Sequence, residues 1–168
     1  MDWTTSCCFT GHRPEKMPWG TDERDPRCVE IKRKLDEALE QAYDRGYRHF
    51  ICGMARGGDM YFGEAVLKLR ARCPEVTLEC ACPCETQASR WPEVDRRRYQ
   101  ALLDQCNYET VVQHVYDRGC MMRRNRYMVE HATHVISIYD GVPRGGTANT
   151  LAYALKRGLT TDIIDLNP

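Results

Sequence analysis

Hydrophobic positions along the chain follow two patterns: short apolar runs, and longer stretches with an apolar residue every three or four positions. The first run, Thr4 to Phe9, is β-compatible and stops at Thr10, Gly11, His12, Arg13 and Pro14, where glycine and proline break regular structure. After a Pro- and charge-rich stretch to Pro26, apolar Cys28, Ile31, Leu35, Ala38, Leu39 and Ala42 recur with charged residues between them. That spacing predicts an amphipathic helix, ended by Gly46. Tyr47 to Cys52 reads as a second strand, running through GMARGGD into Ala65, Val66 and Leu69 of a second helix. Val76 to Cys82 is expected as a third strand, Arg90 to Leu103 as a charged helix, and Thr110 to Val115 as a fourth strand. A helix over Met121 to His131, a strand over Val135 to Tyr139, a helix over Gly145 to Arg157 and a short last strand over Thr161 to Leu166 complete the series.

Strands that alternate with helices call for a parallel sheet, because each parallel pair needs a crossover connection. The expected fold is α/β: a single Rossmann-like, doubly wound domain over residues 1–168, with a mostly parallel sheet and helices on both faces. No internal repeat or low-complexity linker interrupts it.

Composition narrows the function classes. With 42% hydrophobic and 29% charged residues the chain can bury a core, and its 24 basic and 24 acidic side chains cancel. No global field then draws it to nucleic acid or an anionic membrane, so neither is an expected partner. No run approaches the roughly 20 apolar residues of a bilayer span, and the start, MDWTTSCCFTGHRP, lacks a basic region followed by an apolar one. A cytoplasmic location is expected. Ten cysteines sit largely inside apolar runs such as SCCF and FICG, where thiols act as small hydrophobes. Cys80, Cys82 and Cys84 alternate along a strand, but three ligands at single-residue spacing do not make a zinc site, and no metal is expected.

In open α/β sheets, ligands bind outside the carboxyl ends of the strands. Three loops there carry unusual residues: Thr10-Gly11-His12-Arg13, Gly53-Met54-Ala55-Arg56-Gly57 followed by Asp59, and Asp140 through Gly145-Gly146-Thr147, with Asn149 and Thr150 behind. Glycines let a backbone approach a ligand closely, and free N–H groups at a helix start face an anion. A single loop of this kind reads rather as a capped tight turn. Three at one sheet edge favour a phosphate-bearing ligand. His12 and Arg13 suit a sugar, base or phosphate, while Asp59 suits ribose hydroxyls or helix capping. Of Arg123, Arg124, Asn125 and Arg126, helical spacing turns one or two toward the ligand, with Arg124 and Asn125 the candidates. The sequence holds no Gly-x-Ser-x-Gly elbow, no Walker A ending and no G-x-G-x-x-G after the first strand.

FTGHRPEKMPWG at 9–20, GMARGGD at 53–59, the Gln87 and Trp91 segment, RRNRYMVEHATHVISIYDG at 123–141 and GGTANTLAYA at 145–154 run nearly end to end. At these motifs the sequence resembles the YpsA-like family of the SLOG superfamily, a bacterial group that includes the LOG phosphoribohydrolases and the DNA-processing protein Smf/DprA. The resemblance implies a Rossmann-like domain whose first-strand loop and GGT loop embrace a nucleotide-derived ligand, and by superfamily analogy a homodimer. Arg56 departs from the family's small or aliphatic residue, which implies an altered anion preference. The LOG catalytic glutamate is also missing, since that stretch reads Asn149, Thr150, Leu151, Ala152, Tyr153. Glycosidic cleavage then needs a carboxylate from Glu64, Asp59 or Asp140. The leading expectation is binding or sensing of an adenine nucleotide, NAD or ADP-ribose. The alternatives are a LOG-like nucleotide N-glycosidase and a DprA-like single-strand nucleic-acid binder, the last disfavoured by zero net charge.

Overall fold

The computed structural model describes residues 3–167. Six strands form one sheet: β1 (Ser6–Gly11), β2 (His49–Cys52), β3 (Thr77–Cys82), β4 (Tyr108–Val111), β5 (His134–Tyr139) and β6 (Thr160–Asp165). Five helices alternate with them: α1 (Pro26–Asp44), α2 (Gly58–Arg72), α3 (Glu93–Gln105), α4 (Cys120–Glu130) and α5 (Gly146–Lys156). Every strand pair is parallel and the order is β4-β3-β2-β1-β5-β6. The fold is thus the expected Rossmann-like α/β sheet, wholly parallel rather than mostly so. No helix among the described residues is long and apolar enough to cross a membrane.

Side-chain alternation along β1 divides the core. Cys7 and Phe9 join a cluster with α1, α2 and α3, whereas Cys8 joins a second cluster with α4 and α5 on the opposite face. Helix α1 begins where Asp25 Oδ1 accepts the Arg27 N–H at 2.8 Å and Pro26 occupies the first helical position. Its apolar stripe, Cys28 to Ala42, is fully turned inward. Leu35 and Leu39 each contribute roughly 1.5–3 kcal/mol of burial.

Four strands fall within two residues of their expected bounds, and β1 and β4 differ most. β1 covers Ser6–Gly11 rather than Thr4 to Phe9, because Thr10 and Gly11 pair with Ser137 and Ile138 of β5. Gly11 does not break the strand: a Cβ there would stand 2.7 Å from the ring of Phe9, so its missing side chain makes room for that phenyl. β4 covers Tyr108–Val111 rather than Thr110 to Val115. Its partner β3 runs out at Cys82, whose carbonyl takes the Val112 N–H at 2.9 Å, and beyond it a lone backbone bond, Glu85 N–H to the His114 carbonyl at 3.2 Å, replaces the ladder.

A buried polar cluster fixes α4 on the sheet. Glu79 of β3 accepts from Tyr127 of α4 at 2.5 Å and from Thr110 at 2.9 Å, and pairs with His49 Nε2 at 2.7 Å. Burial pushes the Glu79 carboxyl up, but these hydrogen bonds outweigh it and hold the group below its ordinary value.

Candidate functional site

The chain builds β1 to β4 outward in one direction and then returns β5 to the other side of β1. Loops leaving β1 and β5 therefore separate at their carboxyl ends, the usual place for a ligand crevice. A cleft of about 280 Å³ opens there. Its walls come from the end of β1 (Thr10, Gly11), the loop after it (His12, Arg13, Glu15, Lys16), the β2 loop (Ala55), the start of α2 (Asp59), α4 (Met121, Arg124, Asn125) and the start of α5 (Gly146, Thr147).

Hydrogen bonds knit these loops into one rim. The Gly58 N–H donates to the His12 carbonyl at 3.0 Å, tying the second loop to the first. Asp59 Oδ2 accepts the Ala55 N–H at 2.9 Å, which closes the second loop on itself. Met54, between them, is buried with φ at 64°, a left-handed conformation that costs a non-glycine residue about 1–2 kcal/mol. The His12 ring spans the first and third loops. Its Nδ1 lies 3.4 Å from Thr147 Oγ1, and its Nε2 lies 3.2 Å from the Asp140 N–H and 3.1 Å from Asp140 Oδ1. Nε2 thus faces both a donor-only amide and an acceptor-only carboxylate oxygen, and the ring's tautomer decides which of the two it engages. Desolvation pushes the Asp140 carboxyl up, yet the Val142 N–H and His12 outweigh it and hold it below its ordinary value.

Three cations, Arg13, Lys16 and Arg124, and two carboxylates, Glu15 and Asp59, line the cleft. Arg124 is 4% exposed, and its guanidinium donates to neutral acceptors: the Gly53 carbonyl, Asn125 Oδ1 at 2.8 Å and, at 4.0 Å, Met121 Sδ. Burial pulls its pKa down against the attraction of Asp59. Burial likewise pushes the Asp59 carboxyl up, against the pull of Arg124 and the Ala55 N–H. Arg13 and Lys16 are exposed at the mouth and close no ion pair among the described residues. Lys16 Nζ lies 2.7 Å from where a Gly145 Cβ would stand, so the lysine reaches across the start of α5. No side chain caps α5, whose N-cap is Gly145 at φ 97°. The first-turn N–H groups thus remain available, at the positive end of the helix dipole.

Comparison with known proteins covers almost the whole chain. Residues 7–167 match the YpsA model, described as the YspA SLOG family. The chain belongs to the YpsA SLOG family. A UPF0398 protein of Bacillus velezensis is 26% identical over 151 residues, covering 88% of this chain and 82% of its own. The SPbeta prophage-derived protein YoqJ of Bacillus subtilis is 25% identical over 158 residues, covering 86% of this chain and 92% of its own. The UPF0398 protein YpsA of Bacillus subtilis is 23% identical over 152 residues, covering 89% and 83% respectively.

Within this YpsA SLOG chain, ten of the residues singled out from sequence line the cleft: Thr10, Gly11, His12, Arg13, Ala55, Asp59, Arg124, Asn125, Gly146 and Thr147. Others act behind it. Gly53 supplies the carbonyl that holds Arg124, and Gly57 packs directly under the His12 backbone. Asn149 and Thr150 face a neighbouring groove instead. Arg56 is turned away, its guanidinium 3.4 Å from Glu15 and 3.1 Å from Asp95, so the unusual cation of the second loop is neutralised by two carboxylates. Glu64 is engaged with Arg98 at 2.6 Å and is not part of the cleft wall. Trp91 packs edge-on against Tyr99, with ring centroids 5.4 Å apart, also outside the wall. Lys16 was not readable as a site residue, because it lies past Pro14 in a short 3-10 turn without periodic signal. Among the described residues no three His, Cys, Asp or Glu side chains converge to hold a metal, and all ten cysteines are free thiols.

Proposed function

We propose that the protein binds a nucleotide-derived ligand, of the adenine nucleotide, NAD or ADP-ribose class, and seats its phosphate on the first turn of α5. One observation carries this reading: Arg13, Lys16 and the buried Arg124 face the same cleft as an uncapped helix start, against two carboxylates, Asp59 and a Glu15 that is shared with Arg56. Backbone N–H groups, a dipole and guanidinium forks together match a phosphate. Asp59 and Asn125 supply acceptors for sugar hydroxyls.

A thermal-shift screen against AMP, ADP, ATP, NAD and ADP-ribose tests it. A ligand at a hundred times its Kd stabilises by about 2.7 kcal/mol, which for a chain of this size raises Tm by roughly 5–10 °C. Arg13→Ala removes a charge-assisted contact and is expected to weaken binding about tenfold. Gly146→Glu places a carboxylate in the seat without disturbing the fold, since nothing lies within 4 Å of a Cβ there. Gly146→Glu should lose the shift and Arg13→Ala about half of it, both while remaining folded. No shift with any of the compounds at millimolar concentration refutes the proposal.

A second reading, hydrolysis of a nucleotide N-glycosidic bond, draws on Asp59. It is the carboxyl that lines the cleft from within the core, and burial favours its protonated form. That state suits a general acid. Release of free base from AMP, abolished in Asp59→Asn, separates turnover from binding.

A further inference from the structure

We infer that the ligand is two-armed: a diphosphate joining two sugar-bearing halves, one of which ends in an aromatic base held between α4 and α5. The inference rests on the phosphate seat proposed above and adds what lies on either side of it. A second recess of about 480 Å³ runs between these two helices and shares Met121, Asn125 and Gly146 with the cleft. Gly146 therefore stands on the boundary between two openings, and nothing within 4 Å of its absent Cβ obstructs passage from one to the other. A phosphate on the first turn of α5 sits at this junction, with room for substituents in both directions.

The two recesses differ in chemistry. The cleft presents Asp59, Asn125, Thr147 and the Arg124 guanidinium, partners for hydroxyl and phosphate oxygens. The groove presents Met121, Met122 and Tyr153 with Arg118 and Arg126, and no carboxylate lines it. Arg126 already lies over the Tyr153 ring, its Cζ 5.3 Å from the centroid, which extends the flat surface. Thioethers, an aromatic ring and a stacked guanidinium form a slot suited to a planar heterocycle. Size points the same way. The cleft alone, about 280 Å³, is smaller than the roughly 300–1,000 Å³ typical of small-molecule sites, whereas the groove falls within that range. A nucleoside monophosphate seated at Gly146 fills one recess and leaves the other empty.

The test is calorimetric titration of ribose 5-phosphate, AMP and ADP-ribose into the wild type and into Ala152→Trp. Ala152 is exposed on α5 and lines the groove, so the indole fills that recess without entering the core. ADP-ribose should bind the wild type at least tenfold tighter than either smaller compound. Ala152→Trp should remove that advantage and leave ribose 5-phosphate unchanged. Met122→Ala, which strips the groove without filling it, should reduce ADP-ribose affinity several-fold and serves if the tryptophan variant misfolds. Equal affinities for AMP and ADP-ribose, or groove variants that leave ADP-ribose binding intact, overturn the two-armed assignment while the phosphate seat stands. Failure of all three compounds to bind the wild type overturns both.

Discussion

Gly57 offers a test of how the first two loops are locked together. Its φ of 84° with ψ of −124° lies outside the regions open to residues with a side chain. A Cβ there would meet the His12 carbonyl oxygen at 2.7 Å, Pro14 Cδ at 3.0 Å and the Arg13 carbonyl carbon at 3.1 Å. Two of the three are backbone atoms and the third is a ring, so no flexible side chain can swing aside. Gly57→Ala thus combines dihedral strain of about 1–3 kcal/mol with overpacking of about 1–3 kcal/mol. We expect a loss of about 3–5 kcal/mol. Gly46→Ala is the matched control, because Gly46 also has a left-handed φ, 103°, but nothing lies within 4 Å of its missing Cβ. It should cost only the strain, about 1–2 kcal/mol. Urea denaturation followed by circular dichroism reads both values. Equal losses for the two variants would show that the β1 and β2 loops yield to each other, and the rigid rim described above would be wrong.

Other expectations follow from buried groups. His134 is 1% exposed and pulled down to about 4 by burial and then by Arg45, whereas an unfolded imidazole titrates near 6.5. Its contribution is therefore complete above pH 6.5 and shrinks as pH falls toward 4, by about 2 kcal/mol after screening. His134→Gln should flatten the fall in urea midpoint between pH 7 and 4.5, and an unchanged slope excludes His134 as its source. Tyr127→Phe removes a donor to the buried Glu79 carboxylate and should cost about 1.5–3 kcal/mol in the same assay; a neutral result would mean that water replaces the phenol. In Gly53→Ala the new Cβ would stand 3.0 Å from Arg124 Cζ and from Asp59 Oδ2. Displacing the guanidinium from the Gly53 carbonyl should cost about 1–3 kcal/mol and weaken phosphate binding, and retention of both stability and binding counts against Arg124 as a cleft cation.

The alternation of strands and helices was most legible where a helix is apolar on one side, as the Cys28 to Ala42 stripe illustrates. Legibility fades where burial does. β4 is an edge strand with Tyr108 and Glu109 exposed, so no alternation marks it, and the adjacent valines at 111 and 112 drew the expected strand past its partner's end. Gly11 misled for the opposite reason. Its role is to yield space to Phe9, a tertiary fact that local propensity for breaking strands does not contain. The three loops were found through their glycines, yet sequence spacing did not tell that Arg56 is spent on Glu15 and Asp95 while Lys16 is free. Those outcomes depend on which carboxylates α3 and the 3-10 turn bring near, and distance along the chain does not encode that.

β1 pairs with β2 on one side and with β5 on the other, where Cys7 meets His134. Residues from near the two ends of the chain must find each other before that second ladder forms, and closing so long a loop is slow relative to local helix formation. Until then β1 keeps an open edge, a template for pairing with other chains. The cleft straddles this same seam, taking one wall from β1 and another from α5. A ligand held there can bind only a chain whose ends have already met. Its affinity should therefore oppose global unfolding rather than the opening of either half, and a partly synthesised chain would be blind to it.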